Sequence, residues 1–481
     1  KGGMIKLYNS LTREVEEFLP INPPKVGMYT CGPTVYDRKH IGNFRTYTTA
    51  DILLRLLKAS GFDVTYVMNF TDVGHLTGDN LGDSDSGEDR IEQAARREKK
   101  TAWDVAKTYT DIFSEDFRKL NLRRPSKFAK ATDHIKEQIE LIKKLEGRGL
   151  TYSITDGVYF DVTSYEKLTG KKYGELATLD EIKTGARLEP NPQKTNPRDF
   201  ALWRLSPVGR KRDMEWDSPW GRGFPGWHIE CSAMSMKYLG ESFDIHIGGV
   251  DLRQTHHPNE MAQSEGATGK PFVKYWLHGE FILIDGERMS TSKRNNFNLG
   301  DIEVKGIDLM ALRYLYFTTH YRQVMNFTWE SLGAAQTAYT RLLKILQSFS
   351  ESREALSNEK FQSIGKYRGE FFSALNNDLG TPGAIAVLWE MFKSNIPSRD
   401  KYDLALLFDQ VLGLKLNQAT KPPDVPREIR ELVAKRERLR KENKWEESDK
   451  VRGKLEEMGY TIEDGKEGTQ VKQSKILPHD K

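Results

Sequence analysis

Two cysteines, Cys31 and Cys231, stand far apart in a chain of 481 residues, which rules out a disulfide framework. They are either incidental or a pair of metal ligands. The stretch His256-His257-Pro258-Asn259-Glu260 bears on that choice. Pro258 suits the first turn of a helix, and His256 and Glu260, four residues apart, face the same way. Cys31, Cys231, His256 and Glu260 would together offer two thiolates, an imidazole and a carboxylate, a set suited to zinc as a borderline-soft ion. They come from three distant segments and match no local zinc-ribbon spacing, so on spacing alone both readings stand. Seven of the ten histidines, His40, His75, His228, His246, His256, His257 and His278, fall in the same part of the chain as both cysteines.

Two further segments offer chemistry toward phosphates. His40-Ile41-Gly42-Asn43 opens a helix after a strand and turn, placing a glycine where a flat ring or phosphate can approach, beside a helix N-terminus that favours negative charge. The alternative is an ordinary loop. Arg288-Met289-Ser290-Thr291-Ser292-Lys293-Arg294-Asn295-Asn296 brings cations and hydroxyls just after a strand, suited to screening a polyphosphate, or else a solvated basic turn.

The elements that position these residues read as α/β. Val26 to Cys31 is an apolar strand, Thr48 to Ser60 carries apolar residues at helical spacing, and Val64 to Met68 is a second strand, a βαβ unit that implies a parallel sheet. Helical pattern continues over Arg90 to Leu120 and Thr132 to Leu150, and Tyr152 to Val162 reads as a strand pair in an inserted subdomain. A second α/β stretch starts near Phe200, with strands at Phe243 to Ile247 and Glu280 to Ile284. The expected fold is a doubly wound parallel sheet with an insertion, followed by a helical region from Asp308, a linker at Lys421 to Pro426 and a turn-rich tail after Gly459. Gly74 to Asp89 is Gly- and Asp-rich, but a calcium loop opening at Asp83 would put Gly87 at its fifth position and Ala94 where the closing Glu belongs. A mobile surface loop is expected instead.

Composition excludes other classes. Apolar residues at 37% and charged residues at 30%, with nine Trp, describe a globular chain of about three domains. No segment is apolar enough to span a membrane, and a cytoplasmic protein is expected. The net charge of +4 is too small to argue for nucleic acid by itself. A basic cluster between Arg427 and Gly459 is the local exception; Ile429, Leu432 and Leu439 could share one helix face and Val451, Leu455 and Met458 another, as in two solvated helices of a bundle.

Taken in order, Thr30 to Asp37 with His40 to Asn43, Asn69 to Asp72, Thr195 to Trp203, Trp216 to Met234, His256 to Glu260 and Met289 to Asn295 closely resemble the cysteinyl-tRNA synthetases, a family of class I aminoacyl-tRNA synthetases. His320-Tyr321-Arg322 and Trp445 to Gly468 extend the resemblance over nearly the whole chain. It implies a Rossmann-type catalytic fold whose halves are 1–120 and 199–305, a connective insertion at 121–198, a stem-contact region at 306–331, a helical bundle at 332–420 and an anticodon-side domain at 421–481. It implies one zinc per chain on Cys31, Cys231, His256 and Glu260, with Gly32, Thr71, Trp227 and His246 around substrate L-cysteine. ATP, with Mg2+, would be handled by His40, Gly42, Asn43, Arg288, Ser290, Thr291, Ser292 and Lys293, and its adenosine by Gly248, Gly249 and Asp251. Arg436, Arg438, Arg440, Lys441 and Lys444 are expected on the tRNA(Cys) side, and the protein is expected to act as a monomer.

Some positions depart from the family pattern: Asn43 replaces the second histidine of the first signature, Thr291 the usual lysine of the second, and Arg253-Gln254-Thr255 precedes His256 where an aromatic and a proline are usual. A ligase that joins cysteine to an amino-sugar in mycothiol biosynthesis has a similar catalytic half, but the basic helix and the tail Gly465 to Thr469 argue against it. A non-enzymatic paralogue holding zinc and tRNA is the third reading.

Overall fold

The computed structural model describes residues 3–78, 85–177, 191–207, 209, 212–290, 293–349, 356–419, 427–465 and 468–473. Thr291 and Ser292 lie outside them, as does the 421–426 linker. Two compact units are present, Lys1–Leu342 with Phe349–Leu416, and Leu343–Ser348 with Asn417–Lys481.

The larger unit opens on a hairpin of β1 (Lys6–Asn9) and β2 (Glu14–Glu17), followed by β3 (Lys25–Thr30), α1 (Ile41–Ala59), β4 (Asp63–Phe70), α2 (Arg90–Glu98), α3 (Ala102–Lys119), β5 (Lys127–Lys130) and α4 (Ile135–Gly147). The expected βαβ unit is present, and β3 and β4 pair in parallel from Lys25↔Asp63 to Thr30↔Met68. Helix α1 starts seven residues before the apolar spacing does, because His40 caps it: Asn43 N–H donates to His40 Nδ1 and His40 N–H donates to Asn43 Oδ1. The helix expected from Arg90 to Leu120 is two, since Lys99 takes a left-handed φ of 54° and Thr101 accepts from Asp104 N–H to cap the second.

Next come β6 (Thr151–Ile154), β7 (Gly157–Phe160), α5 (Val162–Thr169), β8 (Phe200–Leu205), β9 (Gly223–Pro225), α6 (Trp227–Leu239), β10 (Phe243–Gly249), α7 (His256–Thr268) and β11 (Val273–Gly279). The core sheet has the order β11-β10-β3-β4-β5, with every pairing parallel. The strand pair read as an insertion does not stand alone: β6 to β9 form one four-stranded antiparallel sheet, so Phe200 to Pro225 belongs with it. Its apolar side, with Phe160, Phe200, Leu202 and Trp203, packs on Leu141 and Leu145 of α4 and on Ile229 of α6. The described ends of the Gly74 to Asp89 segment are tied down. Asp85, 8% exposed, pairs with Lys194 at 3.0 Å, and Asp89 caps α2 while accepting from Arg212. Among its described acidic residues, Asp85 serves as an anchor and Asp89 as a cap.

The chain continues through β12 (Ile282–Ile284), β13 (Glu287–Arg288), α8 (Leu299–Val304), α9 (Leu309–Phe317), β14 (Met325–Phe327), α10 (Trp329–Ser348), α11 (Asn358–Asn376), α12 (Thr381–Lys393) and α13 (Ser398–Leu412). Strands β13-β12-β14 make a small separate sheet that carries the Arg288–Asn296 loop. Beneath it, Asp51 of α1 accepts from Arg55 Nε (2.7 Å) and Arg313 Nη2 (2.5 Å), and Arg313 also donates to the carbonyls of Leu120 and Leu412. One carboxylate thereby joins α1, α3, α9 and α13.

In the smaller unit, α14 (Arg427–Lys441) and α15 (Trp445–Glu457) are followed by a hairpin of β15 (Tyr460–Gly465) and β16 (Gly468–Gln473), where a turn-rich tail was expected. Ile429, Leu439, Val451, Leu455 and Ile462 form its core, with Leu432 partly buried against them, while Met458 is 36% exposed. Arg436, expected among the tRNA-facing cations, is 3% exposed. Arg438 is exposed, Arg440 stands 5.8 Å over the Trp445 ring, Lys444 pairs with Glu442, and Lys441 lies in α14. No helix among the described residues is long and apolar enough to cross a membrane.

Candidate active site and metal centre

The C-terminal ends of β3 and β10, with the adjoining α6 and α7, converge on Cys31, Cys231, His256 and Glu260, all buried and with one ligand atom each within 4.8 Å of one another. Both thiols are free of any disulfide. Cys31 Sγ lies 3.5 Å from Glu260 Oε1, and His256 Nε2 lies 3.0 Å from the same oxygen. Donors on neighbouring corners of a zinc tetrahedron stand roughly 3.3 to 3.8 Å apart, given Zn–S near 2.3 Å and Zn–N or Zn–O near 2.0 to 2.1 Å. The Cys31–Glu260 distance falls in that range, the His256–Glu260 distance is the shorter one of a hydrogen-bonded ion pair, and the donor types fit such an ion.

Their charge states fit as well. Burial opposes ionisation of Glu260, yet His246 and His256 draw its pKa down to about 2. Burial also opposes a charged His256, but Glu260 and Cys231 carry its pKa up to about 10. Cys231 falls to about 6 against burial because the neighbouring Cys31 thiol and His256 favour its thiolate, while burial and Cys231 push Cys31 up. Anionic donors buried in a low-dielectric pocket call for a cation.

His246 and His257 lie against the same cluster and, with Cys31 and Glu260, form a second set of buried side chains able to hold a metal ion. His246 Nε2 donates to Glu260 Oε2 at 2.9 Å, leaving Oε1 toward the other ligands, and His257 Nε2 lies 3.4 Å from Cys31 Sγ. His257 Nδ1 bonds His278, whose Nδ1 bonds Ser10, and His228 Nδ1 bonds His256 Nδ1 at 2.8 Å. Such outer partners fix ring orientation and ligand basicity. The sequence signalled them only by the concentration of histidines.

Around this centre, Trp227 begins α6 with its ring stacked on His75 at 4.0 Å and 4.3 Å from His256. Thr71, buried, accepts from Asn69 Nδ2, and Gly32 N–H donates to Asn69 Oδ1 at 2.7 Å. Glu230 is fully buried beside Cys231, and its pKa is raised by burial and then by Cys231 and Asp72, against a hydrogen bond with Thr71. Nothing in the sequence set it apart.

The phosphate-facing candidates assemble at the N-terminal end of α1. His40 accepts at Nδ1, which leaves Nε2–H as a donor; burial and then Lys39 lower its pKa to about 4, so it is neutral at physiological pH. Asn43 is engaged in the cap. Gly42 meets the second segment directly, since a Cβ there would stand 2.6 Å from Met289 Cε. That loop is closed by Asn295, which accepts from Ser290 N–H and donates to Arg288 O. Arg288 stands 5.4 Å over the Phe281 ring, and Lys293 pairs with Glu287 at 2.7 Å in solvent. Gly248 and Gly249 end β10, and Asp251, exposed in the turn that follows, folds its Oδ1 to within 2.2 Å of where a Gly249 Cβ would be.

A parallel sheet with its candidate residues at the strand ends and a basic loop opposite is the arrangement of a class I aminoacyl-tRNA synthetase, and the family model for the class I (C) tRNA synthetase catalytic domain matches residues 17–337. The model for the cysteinyl-tRNA ligase anticodon binding domain matches residues 422–471. The chain belongs to the cysteine–tRNA ligase family. It is 44% identical to cysteine–tRNA ligase 1 of Burkholderia lata, over 97% of this chain and 96% of that one. With the cysteine–tRNA ligase of Treponema denticola it shares 41% identity, over 96% and 98%. Among solved structures, Mycobacterium tuberculosis methionyl-tRNA synthetase in complex with methionyl-adenylate superposes with a TM-score of 0.56, covering 83% of this chain and 92% of that one at 14% identity, a likeness of fold.

Proposed function

We propose that this chain is a zinc-dependent cysteine–tRNA ligase, which activates cysteine with ATP to cysteinyl-adenylate and transfers the cysteinyl group to the 3′ end of tRNA(Cys). The observation that carries the zinc reading is the buried convergence of Cys31, Cys231, His256 and Glu260, with one ligand atom of each within 4.8 Å of the others. When bound there, zinc supplies a soft Lewis acid that favours the substrate thiolate over a hydroxyl. Gly32, Thr71 and Trp227 enclose the amino acid, and His246 orients Glu260.

In the first step a carboxylate oxygen of cysteine attacks the α-phosphorus of ATP in line, and the bond to pyrophosphate breaks. The chain contributes positioning and charge. Neutral His40 donates from Nε2 to a phosphate oxygen, with the N-terminus of α1 and Asn43 beside it. Arg288 and Lys293, with Ser290, Thr291 and Ser292 in the same loop, meet the departing pyrophosphate and its Mg2+. Asp251 accepts from the ribose hydroxyls beside Gly248 and Gly249. Arg438, Arg440, Lys441 and Lys444 contact tRNA phosphate. A catalytic fold in two halves around an insertion that runs on through Phe200 to Pro225, a stem-contact region at 306–331, a helical bundle at 332–420, an anticodon-side domain at 421–481 and a monomeric state belong to the same reading.

The test is cysteine-dependent exchange of labelled pyrophosphate into ATP, followed by charging of purified tRNA(Cys). Both should occur. Exchange without charging would point to an amino-sugar acceptor, and neither to a non-enzymatic protein.

A further inference from the structure

Arg45 lies in α1, five residues beyond His40, and is 3% exposed. Its Nη1 donates to the carbonyls of Glu280 and Phe281, each at 3.1 Å. Nη2 donates to those of His320 at 2.9 Å and Gln323 at 2.8 Å. The first pair leads into β12 and the second into β14, adjacent strands of the sheet that carries the Arg288–Asn296 loop. No carboxylate forms an ion pair with Arg45 among the described residues; carbonyl dipoles alone hold the guanidinium. Burial lowers its pKa only to about 10, so it stays charged at neutral pH.

We infer that Arg45 is a positioning residue for the ATP-dependent step, setting the distance between His40 at the head of α1 and the Arg288–Asn296 loop. The inference rests on the ATP-handling roles proposed above for those two segments. Only a planar fork with several N–H groups can span four carbonyls on two chain segments; a single ammonium cannot. The contact of Gly42 with Met289 shows how close the two segments stand. The metal centre lies elsewhere, at the ends of β3 and β10 and on α6 and α7, and Arg45 donates to none of them. Its loss should therefore disturb phosphate chemistry while sparing cysteine binding, whereas a merely structural residue would affect both.

The test compares Arg45→Lys with the wild-type full chain in cysteine-dependent pyrophosphate exchange, alongside metal content and KM for cysteine. The expected result is a kcat reduced about 10- to 100-fold, the scale of a misplacement near 1 Å, with metal content and cysteine KM within about twofold. Arg45→Gln should lose activity in the same way, again with metal content and cysteine KM within about twofold of wild type. Wild-type protein inactive in exchange would sink the ATP reading itself. Active wild type with an equally active Arg45→Lys variant would sink only the role of Arg45. So would cysteine KM rising in step with the loss of kcat, or failure of both variants to fold, since each would make Arg45 a core support alone.

Discussion

Replacing Cys231 by serine removes one sulfur from the metal centre with almost no change of volume at a position 1% exposed. The side chain differs chiefly in ionisation. Against burial, the neighbouring Cys31 thiol and His256 lower the Cys231 pKa and favour its thiolate, whereas a serine hydroxyl stays protonated and is a poor zinc ligand. Structural zinc binding of about 10–16 kcal/mol over four ligands averages about 2.5–4 kcal/mol each, so the variant should bind zinc roughly 10²- to 10³-fold more weakly. The remaining donors keep their geometry, since Glu260 is still held by His246 and His256. The assay is dialysis against zinc buffers of graded free concentration, with zinc per chain measured by elemental analysis. Cysteine-dependent exchange should rise and fall with occupancy in both proteins. An affinity within about threefold of wild type would refute the assignment of Cys231 as a ligand.

Asp51→Asn should destabilise the protein by about 3–5 kcal/mol in urea unfolding, because two buried guanidiniums lose their shared counter-charge; a cost below about 1 kcal/mol would show that the carbonyls of Leu120 and Leu412 suffice. Asp116, 4% exposed, has its pKa raised by burial from 3.8 to about 6. The fold thus binds this proton more tightly than the unfolded chain does, and stability is lost as pH rises from about 4 to 6. Asp116→Asn should be more stable than wild type at pH 7 by about 1–3 kcal/mol and lose that slope, and an unchanged slope would contradict the assignment. Lys293→Ala should lower the rate of pyrophosphate exchange by about 10- to 1000-fold with little change in ATP binding; equal activity would shift the role to Arg288 or Arg294.

Residue type made a metal site one of two open readings, because two thiols, an imidazole and a carboxylate form a zinc-type donor set, and the family resemblance rather than spacing favoured it. Their convergence depends on the parallel order of β3 and β10, which the βαβ pattern implied. Arg45, Asp51 and Arg55 were hidden for a physical reason. A charged residue on a helix reads as a solvent face, but α1 is covered on every side, and its charges are met by carbonyls and carboxylates distant in sequence. Glu230 was silent, since burial of a single carboxyl has no sequence pattern, and the outer histidines showed only as a concentration of one residue type. The break at Lys99 turned on one left-handed residue, and strands β15 and β16 carried too few apolar residues to be told from turns.

Serine differs from cysteine in little more than oxygen for sulfur, so a pocket that selects by shape alone would separate them by roughly 10²-fold, and a metal that takes the thiolate should reach about 10⁴ or more. The ratio of kcat/KM for cysteine over serine in pyrophosphate exchange, measured on zinc-replete protein, is therefore the most direct test. A ratio of about 10⁴ or above is predicted. A value near 10², or exchange that does not respond to cysteine, would contradict a zinc-selected cysteine–tRNA ligase.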